Sequence, residues 1–227
     1  MTQVRDHGAE AITRAAKGGT RPKGRRNSGQ TQEAILAAAL VEFTGKGLDG
    51  ARVDEIARRA GANKRMIYHY FGGKEDLFVA VLERTYADIR TAERELHLED
   101  LDPAGAMRAL VTFSFDYFQR NPHFIRLLNN ENLHGARHVK GSARIRDLHP
   151  PLISMIAHIL ERGRASGTFR PGVDPVQLYI SIAALGYFYF SNAATLSAIF
   201  GRDLLEHEAV EQRRRHAVEV VLSYLRP

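Results

Sequence analysis

Apolar side chains recur at helical spacing along most of the chain from residue 31 onward. The first amphipathic stretch carries apolar positions about one turn apart, namely Ile35, Leu36, Ala39, Leu40 and Phe43. Gly45 and Gly47 then interrupt the pattern and are expected to end this helix. A second short helix is predicted over 53–60, and Asn63 is expected to cap a third that ends at residue 71.

Longer amphipathic stretches follow this group of short helices. After Gly72 and Gly73, a helix is predicted to begin at Lys74 with one apolar stripe, formed by Leu77, Phe78, Val81, Leu82, Tyr86 and Ile89. Further helices are predicted over 103–120, 122–133, 150–166, 175–200 and 207–225, with Pro or Gly at most junctions. Since no stretch alternates between apolar and polar residues as a half-buried strand would, the predicted fold class is all-α.

Charge is distributed unevenly along the chain. The net charge is +6, and residues 1–30 alone carry seven Lys or Arg against two acidic residues. Because this region also mixes Gly, Pro and Ser with few large apolar residues, we expect it to be a disordered basic arm. Whether the arm contacts DNA or only aids solubility is left open by the sequence. Cysteine is absent and no secretory signal is recognisable, so a cytoplasmic location is expected.

Residues 53–71 have the composition that a helix-turn-helix motif requires. Ile56 and Ile67 lie where two crossing helices must touch, and small Ala60 and Gly61 permit a tight turn. The opposite face of the second helix offers hydrogen-bond donors and aromatic groups for base edges and phosphate oxygens. The alternative is a three-helix unit with an ordinary solvated basic face, but spacing, turn and basic stripe together favour DNA binding.

This segment resembles the TetR family of one-component regulators. The resemblance is carried by the apolar run 35–43, Val53-x-x-Ile56-Ala57, Ala60-Gly61, Tyr68-x-Tyr70-Phe71 and Lys74-x-x-Leu77. It is strong over 31–82 and looser beyond, where Gly167 to Pro175 read Gly-x-Phe-Arg-x-x-x-Asp-Pro. It implies a helix-turn-helix DNA-binding domain over 31–91, joined to a helical effector-binding and dimerisation domain over 92–227.

The resemblance also implies which side chains contact DNA. Tyr68 and Lys74 are expected to bind phosphate, Lys64 and Arg65 to approach bases, and Tyr70 to add a backbone contact. The full set of expected DNA-binding residues is Arg52, Asn63, Lys64, Arg65, Tyr68, His69, Tyr70 and Lys74.

Arg52 is a departure from the family pattern. Family members usually carry Ser or Thr at this position, where the hydroxyl caps the second helix, and an arginine cannot cap in that way. Either the helix begins slightly differently or the guanidinium has exchanged capping for a phosphate contact, and we favour the second explanation.

The C-terminal half contains a long uncharged segment between Asp174 and Arg202. It is long enough to cross a bilayer, but polar residues along it favour a buried helix over a membrane span. In proteins that this sequence resembles, the last two long helices form a four-helix dimer interface. We therefore expect a homodimer held by 175–200 and 207–225, with contacts from Val210, Ala217, Val221 and Tyr224.

A small-molecule site is expected between the C-terminal helices, where apolar walls and a few polar groups can form a pocket. The candidate lining residues are Tyr86, Phe113, Phe118, Asn129, Asn132, His134 and Tyr187. Aromatic residues at helical spacing more often belong to a core, so this alternative stays open for each of them. Glu131, His134 and His138 have a spacing that could bind a metal, but Gly135 weakens the helix, and no metal or other cofactor is expected.

The sequence therefore predicts a homodimeric repressor that an unknown small-molecule effector releases from near-palindromic double-stranded operator DNA. A constitutive DNA-binding protein without an effector, or a co-repressed or activating regulator, is the alternative. An enzyme is not expected, because neither a cysteine nucleophile nor a phosphate-binding loop is present. Gly45 to Gly50 match GxGxxG formally, but they follow a helical pattern and not a strand.

Overall fold

The computed structural model describes residues 28–227, and this part of the chain is all-α, as the sequence predicts. Its helices are α1 (Ser28–Gly50), α2 (Val53–Ala60), α3 (Lys64–Phe71), α4 (Lys74–Arg94), α5 (Pro103–Arg120), α6 (Pro122–Leu133), α7 (Arg137–Gly141), α8 (Ala143–Asp147), α9 (Pro150–Ala165), α10 (Pro175–Ser191), α11 (Ala193–Phe200) and α12 (His207–Leu225), with a 3-10 turn at Leu98–Asp100. The expected basic arm lies outside the described residues, except that residues 28–30 begin α1.

Local sequence signals account for most helix boundaries. Gly61 ends α2 in the left-handed conformation (φ 60°), which only glycine adopts without strain. The side chain of Asn63 accepts a hydrogen bond from the backbone N–H of Arg65 and so caps α3. Proline occupies the first turn of α5, α6, α9 and α10, where its missing N–H has no helical partner to lose.

The first helix is interrupted at Gly47, as its sequence predicts, but it continues to Gly50. Gly47 has φ 69° and ψ 177°, and α1 resumes for one turn beyond this kink. The side chain of Asn130 from α6 lies against the kink, where a Cβ on Gly47 would come within 2.7 Å of Asn130 Nδ2. Asn130 Oδ1 also accepts a hydrogen bond from the N–H of Leu48 at 3.1 Å. The kink is therefore a docking point for α6.

The single helix predicted over 175–200 is wrong. The chain breaks at Asn192, and α10 and α11 meet at an angle of 68°. Asn192 closes α10 through its side-chain amide, which donates to the carbonyl of Phe188, and its own carbonyl accepts from the Thr195 hydroxyl. No single helix in residues 28–227 is long and apolar enough to cross a membrane, and the bent α10–α11 pair meets that length and composition only jointly.

Two short helices, α7 and α8, are absent from the sequence-based prediction. Each has five residues, too few for a periodic pattern to stand out. Their backbone N–H groups are satisfied by side chains: Glu131 of α6 accepts from His138 and Val139 at the start of α7. Ser142 accepts from Ile145 at the start of α8. These helices therefore depend on contacts that the sequence pattern does not display.

The apolar residues form two large cores and a smaller cluster between them. The N-terminal core joins α1 to α4, but it also contains Leu127 of α6 and Ile145 of α8, with Val139 of α7 packed against it. The C-terminal core is built mainly from α5, α9, α10 and α12. Because α6 to α8 reach into the N-terminal core, movements in the C-terminal half can be transmitted to the helix-turn-helix.

Candidate functional site

Packing against α2 and α4 holds α3 in a fixed position. Ile56 of α2 and Ile67 of α3 are fully buried in the N-terminal core, and α3 also contacts α4. The apolar side of α3 is thereby fixed against the protein. Its opposite side carries Lys64, Arg65, Tyr68 and His69, all of which are exposed.

Acidic residues of α2 neutralise part of this basic region. Lys64 Nζ lies 2.8 Å from Asp54 Oδ1, and this hydrogen bond holds the pKa of Asp54 below its usual range. Arg58 and Arg59 pair with Glu55, whose pKa is lowered to about 2, chiefly by the hydrogen bond from Arg58. These pairs are at the surface, where ion pairs are weak, so a phosphate can displace the carboxylates.

The remaining expected DNA contacts differ in their present partners. Lys74 Nζ donates to the carbonyls of Asp49 (3.3 Å) and Ala51 (3.4 Å) and so braces the connection between α1 and α2. Tyr70 is half-buried and packs against the N-terminal core. Arg52 is exposed at the N-cap of α2 and makes no side-chain capping bond.

The structure brings together five of the seven candidate effector residues. Tyr86 packs edge-on against Phe124 with ring centroids 5.6 Å apart, and Phe118 packs against Tyr187 at 6.2 Å. Phe113 packs against the same cluster. The Tyr187 hydroxyl donates to the side-chain oxygen of Asn129, whose amide donates to Ser191 Oγ at 3.1 Å. We call this group, Tyr86, Phe113, Phe118, Phe124 and Tyr187, the aromatic cluster.

Asn132 and His134 lie elsewhere. Asn132 is exposed. His134 Nδ1 lies 3.0 Å from the carbonyl of Asn130, and its Nε2 lies 3.5 Å from Asp49 Oδ2 near the kink of α1. Both residues lie at the C-terminal end of α6, beyond the part of that helix that packs in the aromatic cluster.

The three residues considered as metal ligands have other partners. Glu131 and His138 form a buried pair, with Glu131 Oε2 2.6 Å from His138 Nδ1. The other carboxylate oxygen of Glu131 accepts two backbone N–H groups. Among the described residues, no three His, Asp or Glu side chains are grouped as a metal site.

A buried charge pair on α4 was missed by the sequence reasoning. The side chains of Arg90 and Glu93 are 3% and 5% exposed, and Arg90 Nε lies 3.1 Å from Glu93 Oε2. Burial raises the pKa of Glu93 to about 7, an effect larger than the opposing influence of Arg90 and Arg94. The sequence contains one signal of this burial, because Arg90 lies one turn after Tyr86 and next to Ile89 on the apolar stripe of α4. Charged residues are rarely buried, so an arginine at such a position is unusual.

The outer face of α10 and α12 carries several exposed apolar side chains, namely Val176, Ile180, Phe188, Val220 and Tyr224. A groove of about 560 Å³ runs between these two helices. The expectation that Val210, Ala217 and Val221 face a partner subunit is wrong, because all three are buried in the subunit's own core. The register of α12 leaves Tyr224, the fourth expected residue, exposed together with Val220.

Comparison with known proteins agrees with this arrangement. Residues 35–81 match the model for bacterial regulatory proteins of the tetR family, and residues 103–221 match the Tetracyclin repressor-like C-terminal domain. The HTH-type transcriptional repressor NicS of Pseudomonas putida is 42% identical over 180 residues, covering 79% of this chain and 85% of NicS. The HTH-type transcriptional regulator RutR of Escherichia coli K12 is 30% identical over 196 residues, covering 86% and 91%.

Solved structures show the same fold. The transcriptional regulator SCO4942 of Streptomyces coelicolor superposes with a TM-score of 0.64 at 29% identity, over 87% of this chain and 99% of that one. The ketosteroid transcriptional regulator KstR2 of Mycobacterium tuberculosis gives a TM-score of 0.62 at 21% identity, over 86% and 95%. With two family models, a 42% identical repressor and a shared fold, the chain belongs to the TetR family of helix-turn-helix transcriptional regulators.

Proposed function

We propose that this regulator is a homodimeric repressor that a small molecule releases from a near-palindromic operator. The observation that carries the proposal is the exposed face of α3, which presents Lys64, Arg65, Tyr68 and His69 from a helix fixed at its back by buried Ile67. Such a face fits the major groove, where donors read base edges. In this division of labour, 31–91 bind DNA and 92–227 dimerise and bind the effector.

Lys64 and Arg65 read bases in this proposal, whereas Tyr68, Lys74 and Arg52 bind phosphate. Lys64 must exchange Asp54 for its DNA partner, and the exposure of both groups makes that exchange inexpensive. Lys74 keeps its carbonyl contacts at the α1–α2 connection while facing the backbone, so it positions the motif as well as binding phosphate.

The experiment compares affinities for the operator and for a scrambled duplex. Arg65→Ala is expected to reduce the preference for the operator, since each base contact contributes about 1 to 3 kcal/mol of discrimination. Tyr68→Phe is expected to weaken binding to both duplexes alike, because phosphate contacts carry no sequence information. Arg164→Ala on α9 removes the same charge from the C-terminal body and serves as the control. An unchanged preference in both Arg65→Ala and Lys64→Ala would overturn the assignment.

We assign the outer face of α10 and α12 to the dimer contact. Two copies are needed because recognition helices must reach half-sites about one helical turn of DNA, roughly 34 Å, apart. Phe188 and Val220 are 56% and 41% exposed on this face, so a second copy would bury them. Phe188→Glu and Val220→Glu are therefore expected to give monomers by light scattering. Leu133→Glu, at an 84% exposed position on α6, is the matched control and should remain dimeric. A dimer that survives both substitutions would place the interface elsewhere.

Effector control is assigned to the aromatic cluster. Helix α4 carries Lys74 at one end and Tyr86 within the cluster, so a ligand that shifts α4 changes the separation of the two recognition helices. A coupling of about 1 to 3 kcal/mol would change operator affinity roughly 5- to 150-fold. Tyr86→Ala should reduce the ligand's effect on operator affinity and leave ligand-free binding near normal. Operator affinity that no small molecule alters would favour the constitutive alternative.

A further inference from the structure

Arg90 of α4 is a buried cation whose hydrogen-bonding capacity is largely unused. Its side chain is 3% exposed, and both Nε and Nη1 are buried without a hydrogen-bond acceptor. Guanidinium groups carry five donors in a fixed plane, and buried donors in folded proteins are nearly always satisfied. Arg90 can therefore still donate to an acceptor that enters beside it.

Glu93 does not satisfy Arg90. Glu93 Oε2 lies 3.1 Å from Arg90 Nε, yet the N–H of Nε is not directed at this oxygen, so the contact is an ion pair without a hydrogen bond. The raised pKa of Glu93, about 7, also means that its carboxyl is only partly ionised near neutral pH. The positive charge of Arg90 is therefore incompletely balanced within the subunit.

The surroundings of Arg90 suit a small planar anion. The Tyr179 ring of α10 lies 5.8 Å from the guanidinium carbon, and Tyr86 is one helical turn away on α4. His149 packs against Tyr86 at 5.5 Å, and burial lowers its pKa against the opposing effect of its hydrogen bond to the Ile145 carbonyl, which disfavours a second positive charge near Arg90.

A narrow cavity of about 30 Å³ opens beside Arg90 and Glu93, with apolar walls from Leu148, Pro151, Leu152 and Met155. It has room for about one water molecule. A larger ligand can reach Arg90 only if α9 separates from α4, and that displacement involves the helix that begins at Lys74.

We infer that the effector of this regulator carries a carboxylate, which accepts hydrogen bonds from the unpartnered N–H groups of Arg90 while its body packs among the aromatic residues. The inference rests on the proposed effector-controlled repression and adds the chemical class of the ligand. Arginine is suited to this role because its planar fork matches a carboxylate in two parallel hydrogen bonds. Glu93 then pairs less closely with Arg90, and α4 and α9 move apart to admit the ligand.

The test uses calorimetric titration of the full-length protein with two carboxylates, benzoate and butyrate, and with benzamide, the neutral isostere of benzoate. Benzoate should bind and benzamide should not. Arg90→Gln should weaken benzoate binding roughly 10- to 100-fold, the loss expected for hydrogen bonds to a charged group. Arg164→Gln removes the same charge from an exposed position on α9 outside this cavity and should leave affinity unchanged. The double variant Arg90→Gln/Glu93→Gln leaves no unpaired buried charge, so it checks that lost binding is not lost folding.

Equal binding of benzamide, retained benzoate binding by Arg90→Gln, or no binding of benzoate or butyrate by the wild-type chain would each overturn the inference. Operator affinity measured in the same samples separates this failure from that of the proposed function. If a neutral compound releases the operator and the carboxylates do not, the ligand class is wrong and effector control stands. If the protein does not bind a specific operator, the proposed function itself fails.

Discussion

Glu131 offers a quantitative test of how the C-terminal half is attached to the helix-turn-helix. This buried carboxylate of α6 accepts the backbone N–H groups of His138 at 2.8 Å and Val139 at 3.0 Å, and it pairs with His138 Nδ1 at 2.6 Å. Helix α7 has no other side-chain cap, because its N-cap residue is Ala136 in a left-handed conformation (φ 58°). Glu131 therefore holds the start of α7 in place.

Glu131→Ala leaves the backbone N–H groups of His138 and Val139, and the buried imidazole of His138, without their partner. Each unsatisfied group costs about 1 to 3 kcal/mol. We expect a loss of about 3 to 4 kcal/mol in the free energy of unfolding. Glu131→Gln keeps an oxygen for the two N–H groups and should lose only about 1 to 2 kcal/mol.

The assay is urea unfolding followed by circular dichroism, with a double-mutant cycle between Glu131→Ala and His138→Ala. Exposed Glu95→Ala is the control, and its effect should stay within about 0.5 kcal/mol. Because Val139 and Ile145 pack on the N-terminal core, Glu131→Ala should also weaken operator binding under conditions where the protein remains folded. A loss below about 1 kcal/mol, or no coupling to His138, would refute the assigned role.

Three further predictions follow from other parts of the structure. A Cβ on Gly163 would lie 2.0 Å from the ring of Phe169, so Gly163→Ala should lower stability by about 1 to 3 kcal/mol. A Cβ on Gly45 meets open space, so Gly45→Ala should raise stability by about 0.5 to 1 kcal/mol, and thermal unfolding of the two variants distinguishes these outcomes. Burial raises the pKa of Glu93 from 4.5 to about 7, so the stability present with a protonated carboxyl is lost as the pH rises through this range, whereas a glutamine does not ionise. The free energy of unfolding of Glu93→Gln, measured relative to wild type, should therefore rise by about 3 kcal/mol between pH 4.5 and 8. A difference that stays constant with pH in urea unfolding would contradict this. Asn130→Ala removes the acceptor for the Leu48 N–H at the α1 kink, so it should lower stability by about 1 to 2 kcal/mol and also lower operator affinity measured by titration. An unchanged operator affinity would count against a role of the kink in coupling α6 to the helix-turn-helix.

Local patterns were sufficient to predict the helices of the DNA-binding region. The αL glycine at Gly61 and the capping oxygen of Asn63 act within one or two residues, so the sequence displays them directly. The break at Asn192 has no such marker, since neither Gly nor Pro lies within five residues of it. Helix α7 depends on Glu131, which contributes from outside the helix, and a periodic pattern does not contain that contact.

For the candidate site, the sequence predicted residue types and the exposed face of α3, but not their partners. The pairing of Lys64 with Asp54 arises only when α2 and α3 are folded together. The burial of Arg90 depends on α9 and α10 covering α4, and a single amphipathic stripe does not reveal what covers it. Asn132 shows the converse error, because its neighbourhood in sequence did not place it inside the protein.

The shared N-terminal core limits how such regulators can be recombined. Leu127, Val139 and Ile145 complete the packing of α1 to α4, although they lie far along the chain from the helix-turn-helix. A hybrid made by cutting at residue 91 and attaching a foreign sensor would leave apolar surface on the DNA-binding region uncovered, and it would aggregate or lose stability. A chimera that keeps these three side chains, or replaces them with side chains of similar shape, should retain both operator binding and a connection to its new sensor. Helices α6 to α8 should therefore be exchanged together with the helix-turn-helix as one unit.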